Sequence, residues 1–174
     1  MANPVKIKVI VTAVVKHTDS VVSYRFFPQG RVHKFRAGQF LRVALDKYHP
    51  AAPWTESRVF SVASSTARRS DEFAVALSVK GRFTDRIFQT LDVDSTCWLK
   101  LPYGEFVFPP AQHLMLIAGG VGITPHRSLL QQMLEENSEW LRVLEWMIGS
   151  NKNECFMYSS GRCAAHCTSE KGRY

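Results

Sequence analysis

Short apolar runs, alternating with polar positions and closed by turn residues, fill the first hundred residues of the chain. Lys6 to Val15, Val21 to Phe27, Gln39 to Leu45, Val59 to Ser64, Phe73 to Lys80 and Trp98 to Leu101 are rich in β-branched and aromatic side chains. Such side chains fit a pleated, half-buried surface, so each run predicts a strand. Pro28-Gln29-Gly30, His49-Pro50 and Pro53 supply turns, and Ser64 to Asp71 reads as a polar loop. Six strands at this spacing predict a closed antiparallel barrel. Within them, Thr84 to Leu91 alone has helical character, with Thr84 as N-cap, Asp85 in the first turn and Ile87, Phe88 and Leu91 on one face.

After Pro109-Pro110 the period changes. An apolar strand (Leu114 to Ala118), a glycine loop, a helix (Pro125 to Glu136) and a second strand around Arg142 to Ile148 make a βαβ unit, whose usual setting is a parallel sheet. A boundary near Gln112 follows, giving a barrel over residues 1–111 and an α/β lobe over 112–174. A five-stranded doubly wound lobe, at about 30 residues per strand and helix, needs roughly twice what remains. The predicted lobe is therefore partial, with a tail that is irregular after about residue 158.

The 174 residues, 45% of them hydrophobic, suffice for one sizeable core or two small ones. No apolar run approaches the roughly 20 residues of a membrane span. The N-terminus lacks the apolar core of a signal peptide, which predicts a cytoplasmic protein. Cys97, Cys155, Cys163 and Cys167 form no disulfide framework. The spacing of the last two, Cys-Ala-Ala-His-Cys, matches no common structural zinc site, and no metal is predicted. The formal charge of +7 favours anionic partners, among which dinucleotide phosphates, an acidic redox protein and nucleic acid all qualify.

Two strings carry candidate chemistry. Arg58-Val59-Phe60-Ser61 offers, in four residues, what a flavin requires: positive charge for phosphate, an aromatic surface, and a hydroxyl for the polar edge of the ring. On an extended strand Arg58 and Phe60 share one face and Ser61 takes the other. The second string is Ala118-Gly119-Gly120-Val121-Gly122-Ile123-Thr124-Pro125. Gly119, Gly120, Val121 and Gly122 let backbone approach phosphate oxygens, Thr124 caps the following helix, and Pro125 fits its first helical position. The helix N-terminus then attracts a pyrophosphate. Pro125 stands where the common dinucleotide fingerprint has its third glycine.

The two strings, in this order, resemble the ferredoxin-NADP⁺ reductase family of flavoproteins, and the resemblance runs from about Val5 to Tyr158. Two further family markers follow the first string. Lys80-Gly81-Arg82-Phe83-Thr84 matches a glycine followed by Ser or Thr at a helix start, and Pro102-Tyr103-Gly104-Glu105-Phe106 matches the end of the family's barrel. The resemblance implies a six-stranded antiparallel flavin-binding barrel followed by a partial parallel-sheet nucleotide-binding lobe. It implies that Arg58 pairs with flavin phosphate, that Phe60 packs on the ring or ribityl chain, and that Ser61 approaches the reactive nitrogen as the catalytic residue. Val59 and Lys80 to Thr84 complete the implied flavin site, with FAD favoured over FMN because a helix start suits a pyrophosphate. Gly119, Gly120, Val121, Gly122, Thr124 and Pro125 are the implied nicotinamide-nucleotide site.

The activity so implied is electron transfer from NADH or NADPH through FAD to an acidic ferredoxin-like carrier, another carrier protein or a small oxidant. Two other readings compete: a flavin-binding protein without efficient nicotinamide turnover, acting as a regulatory or assembly subunit, and a small basic barrel that binds nucleic acid. The second lacks an aromatic stacking platform of clear spacing, so no nucleic-acid partner is predicted.

Overall fold

A computed structural model of the chain describes residues 3–32, 34–65, 72–108, 113–136 and 142–148. Six strands, β1 (Val5–Lys16), β2 (Val21–Pro28), β3 (Phe40–Ala44), β4 (Arg58–Ser61), β5 (Phe73–Ser78) and β6 (Thr96–Tyr103), form one antiparallel sheet. Their spatial order is β4-β3-β6-β1-β2-β5. The sheet curls until its two edge strands meet, where the Ala63 amide just beyond β4 donates to the Ala74 carbonyl of β5 at 2.7 Å. The expected barrel is therefore present.

The long strand β1 makes this curvature possible. Its first half pairs with β6 and its second with β2, and the register shifts between Val11 and Ala13. An irregularity of this kind bends a strand and sharpens its twist. Period-two alternation then sends Ile7, Val9, Val11, Val22, Tyr24, Phe26, Leu41, Val43, Phe73, Val75, Leu77, Cys97, Leu99 and Leu101 into one core. Helix α1 (Arg82–Thr90) adds Phe83 and Ile87 to it, followed by Leu91 just beyond the helix. Burial pushes the Tyr24 phenol up to about 12, with the negative charge of Asp92 adding to the effect. Burial likewise pushes the Cys97 thiol up to about 12.

Beyond the barrel, β7 (His113–Gly119) and β8 (Arg142–Ile148) pair in parallel, joined through a 3₁₀ turn (Gly120–Ile123) and helix α2 (Thr124–Glu135). This is the expected βαβ unit. The segment linking it to the barrel is held by two glycines with positive φ. Gly38, at φ +96°, lies so close to the Phe106 carbonyl that a Cβ would sit 2.2 Å from its oxygen. Gly104, at φ +92°, packs against the Phe40 ring and its carbonyl accepts from Gln39 Nε2 at 2.9 Å. The expectations for the loop at 66–71, the boundary near Gln112, and everything after residue 148, including Cys155, Cys163, Cys167 and the tail, lie outside the described residues.

Candidate functional site

Strand β4 is the outermost of the β4-β3-β6-β1 series, and β3 is its one strand partner among the described residues. Arg58 and Phe60 stand opposite the core residues Val43 and Leu41, whereas Val59 and Ser61 stand opposite Arg42 and Phe40 on the outer surface. The alternation expected from the sequence thus holds. Phe60 is half-buried against the core, and Val59 is 54% exposed.

Arg58 leaves the strand at the barrel's open edge. Its guanidinium carbon sits 5.1 Å from the centre of the Phe83 ring, in the first turn of α1. Nη2 pairs with Glu56 at 3.2 Å and Nη1 donates to the Ser57 carbonyl at 3.1 Å. The side chain nevertheless remains 54% exposed. The structure therefore brings together the two strings from which a flavin site is expected, with Arg58 of the first lying over Phe83 of the second.

The start of α1 differs from expectation in one respect. The helix begins at Arg82 with Gly81 as N-cap, three residues before the predicted cap, and Thr84 occupies the third helical position. Its hydroxyl accepts from the Lys80 and Gly81 amides, both at 3.1 Å, and donates to the Gly81 carbonyl at 2.9 Å. A side chain at this position reaches back to the N-cap backbone as in the reciprocal half of a capping box, which is why Thr84 looks like a cap in the sequence. The amides of Arg82 and Phe83 come too early in the helix to find an intrahelical acceptor. Among the described residues nothing lies within 4 Å of the place a Gly81 Cβ would take. Lys80, Gly81 and Arg82 are exposed. An anion thus has open access to an N-terminus flanked by the cation Arg58.

The glycine string also departs from expectation. It forms a 3₁₀ turn running without a break into α2, so Thr124 is inside the helix and Ile123 is the N-cap residue. The Thr124 hydroxyl, buried, donates to the Val121 carbonyl at 2.5 Å. A 3₁₀ turn draws donors back three residues rather than four, and that satisfies Thr124 within the turn itself. Pro125 still falls in the first turn, where its missing amide costs nothing. Gly120 has φ +53°, and among the described residues neither Gly120 nor Gly122 has any atom within 4 Å of a would-be Cβ. Backbone here is open to close approach.

Two residues that the sequence reading passed over connect the halves. Ser128, fully buried on α2, donates to the Ser64 carbonyl at 2.6 Å, and Arg127 Nη1 donates to the Ala63 carbonyl at 3.2 Å. A serine amid the apolar positions of a helix that packs on the barrel was the available signal.

An antiparallel barrel with a cationic edge strand, followed by a βαβ unit with an open glycine turn, is the two-part architecture expected of flavin- and nucleotide-binding proteins. Comparison with known proteins agrees. Residues 116–168 match the family model described as Oxidoreductase NAD-binding domain, so the likeness continues past Tyr158. The chain is 33% identical over 125 residues to terephthalate 1,2-dioxygenase reductase component 2 of Comamonas sp, across 68% of this chain and 34% of that one. Its fold matches the flavohem-like FAD/NAD binding domain of nitric oxide dioxygenase from Vibrio cholerae O1 biovar El Tor with a TM-score of 0.68, at 18% identity over 90% of this chain and 66% of that one. It also matches a ferredoxin NADP⁺ reductase from Neisseria gonorrhoeae, with a TM-score of 0.61 and 21% identity over 83% and 58% of the two chains. In fold and in its nucleotide-binding unit the chain is similar to members of the ferredoxin-NADP⁺ reductase family. It spans about a third of the length of the curated relatives it matches.

Proposed function

We propose that the protein binds FAD along β4 and the start of α1, takes reducing equivalents from NADH or NADPH held at the glycine turn, and delivers electrons to an acidic carrier protein. The observation that carries this reading is the placement of the exposed Arg58 guanidinium over Phe83, beside an open helix N-terminus. Arg58, with the unpartnered early amides of α1, suits a pyrophosphate by charge and by hydrogen-bond donors. The space at Gly81 leaves room for it. The name of the Vibrio cholerae relative, an FAD/NAD binding domain, supports the same pair of cofactors.

FAD, when bound, supplies the conversion between two-electron and one-electron chemistry that no side chain here can perform. The protein's part is to hold and orient. Arg58 and the α1 amides anchor phosphate, Phe60 and Val59 offer apolar surface on the two sides of β4, and Ser61 presents a hydroxyl at the end of the strand. At the glycine turn the backbone around Gly120 and Gly122 receives the second pyrophosphate. Hydride donor and acceptor atoms react when held about 3–3.5 Å apart, so the spacing between β4 and the turn is what the fold must set.

The acidic carrier is favoured by charge. Lys6, Lys100 and Arg42 pair across β1, β6 and β3 in one row on the outer surface, and the row ends at Val59 of β4. None of these four strands contains an Asp or Glu. Like charges directly opposite one another destabilise a sheet. Their compensation comes from aromatic rings: Lys6 Nζ lies 4.5 Å from the Tyr48 ring centre, and Lys100 Nζ lies 5.7 Å from that of Tyr103. Such a row attracts an acidic surface to the strand proposed to carry the flavin.

The test is spectroscopic. Purified protein should take up FAD and show its visible absorption, NADH or NADPH should bleach it anaerobically, and an acidic [2Fe–2S] ferredoxin should reoxidise it with a rate that falls as salt rises. Protein that retains neither FAD nor FMN when either is added would exclude the reading. Tight binding of a single-stranded oligonucleotide without flavin uptake would favour the basic-barrel alternative.

A further inference from the structure

The short segment that leaves β4 is hydrogen-bonded from both sides. Its amides face the barrel: Val62 donates to the Gln39 carbonyl at 3.0 Å and Ala63 to the Ala74 carbonyl at 2.7 Å. Its carbonyls face α2, where Arg127 holds that of Ala63 and Ser128 holds that of Ser64. Val62, Ala63, Ser64 and Ser65 are all buried. The bonds of Val62, Ala63 and Ser128 therefore sit in surroundings where a lost partner is costly and water cannot replace it.

Both ends of this linkage lead to the proposed cofactor sites. Ser61 is the residue immediately before the segment, so the barrel bonds of Val62 and Ala63 fix the end of β4. On the other side, the 3₁₀ turn at Gly120–Ile123 continues directly into α2, so Ser128 stands on one continuous helical stretch with Gly120 and Gly122. A shift of Ser128 relative to Ser64 would move the glycine turn relative to Ser61.

We propose that Ser128 and Arg127 are positioning residues that set the distance between the flavin strand and the nucleotide turn. The proposal rests on the function argued above and adds the device that gives it its geometry. Both side chains bond backbone carbonyls. Their effect is on alignment, and a misplacement of about 1 Å can cost about a hundredfold in rate. The two bonds differ in character, which makes them separable: Ser128 is fully buried, whereas Arg127 reaches the Ala63 carbonyl from an exposed position. Arg127→Ala therefore leaves the fold intact even where Ser128→Ala lowers stability.

The experiment has one arm that needs no cofactor and one that does. In the first, Cys155, Cys163 and Cys167 are replaced by serine, and spin labels are placed at Val15→Cys and Leu134→Cys, both exposed positions on the two halves. Cys97 is buried and its thiol is held protonated, so it stays unlabelled. Pulsed electron resonance should give one narrow distance in the parent and a broader distribution in Ser128→Ala and Arg127→Ala. In the second arm, FAD-loaded variants should bind NADH or NADPH within about threefold of the parent, yet be reduced at least about tenfold more slowly at saturating nucleotide. Arg127→Lys, which keeps a donor, should recover most of the rate. Unchanged narrow distances overturn the linkage itself. Broadened distances with an unchanged reduction rate overturn its positioning role. A parent protein that no nicotinamide reduces sinks the proposed function and with it the catalytic purpose of these residues, while the distance measurement still decides whether they hold the halves together.

Discussion

The guanidinium of Arg58 lies over the ring of Phe83 at 5.1 Å, joining a strand edge to the first turn of a helix that follows it by two dozen residues. Phe83 is itself 6% exposed and anchored in the barrel core. The cation is thus oriented by a fixed ring, with Glu56 as its counter-ion. A bound phosphate would take the place of that carboxylate.

Arg58→Ala should therefore weaken FAD binding. A charge-assisted hydrogen bond is worth about 1.5–3 kcal/mol, or about tenfold or more in affinity. Arg86→Ala, on the same helix but paired with Asp46, serves as the control and should change affinity by less than about threefold. Fluorescence titration of FAD measures both. Equal losses would show that a diffuse positive field, rather than Arg58, holds the cofactor.

Gly81→Ser separates folding from binding at the same place. Gly81 is extended, with φ −170°, a conformation any residue adopts, and its surroundings are open. Serine is also a better N-cap than most residues. Thermal stability should stay level or rise slightly, while FAD affinity falls because the new side chain fills the space through which phosphate approaches. An unchanged affinity would place the phosphate elsewhere.

Much of this architecture was legible because barrel strands bury one face and therefore alternate. All six strands and α1 were placed within a few residues, since Val, Ile, Leu and Phe at period two leave little choice of register. What was misread lies at helix starts. Thr84 and Thr124 both carry the residue type of an N-cap, yet each lies past the N-cap, Thr84 bonded back to the Lys80 and Gly81 backbone and Thr124 donating to the Val121 carbonyl, and composition alone does not separate these positions from a true cap. The bonds from Arg127 and Ser128 to Ala63 and Ser64 were invisible for another reason. They join residues 64 positions apart through backbone carbonyls, and a carbonyl has no sequence signature.

Gly38→Ala should be more damaging than a surface substitution. At φ +96° an alanine is strained, and its Cβ would fall 2.2 Å from the Phe106 carbonyl oxygen, so backbone must move. The cost should exceed about 1 kcal/mol, or roughly 2–4 °C in Tm for a chain of this size. Gly122→Ala, with open space around its Cβ, is the comparison and should shift Tm little. Scanning calorimetry on the two variants checks this, and equal shifts would mean that the Gly38 to Phe106 contact yields at no cost.

His126 gives the stability a dependence on pH. It sits on α2, 7% exposed, with its ring edge-on to Phe108 at 5.8 Å and its Nδ1 without a hydrogen-bond partner among the described residues. Burial holds its pKa below the ordinary 6.5. The folded protein thus resists a proton that the unfolded chain accepts. Above about pH 6.5 both states are neutral at this site and the stability is fully present; as pH falls below that value the unfolded state is favoured, by at most about 1.4 kcal/mol per pH unit for one proton. Asp46, whose carboxyl the Arg86 hydrogen bond holds below its usual range, responds only in more acidic solution. Between pH 6.5 and 5, then, Tm should fall more steeply for the parent than for His126→Phe, which keeps the aromatic contact and cannot titrate. Parallel Tm profiles for the two proteins over that interval would show that His126 finds a way to charge inside the fold.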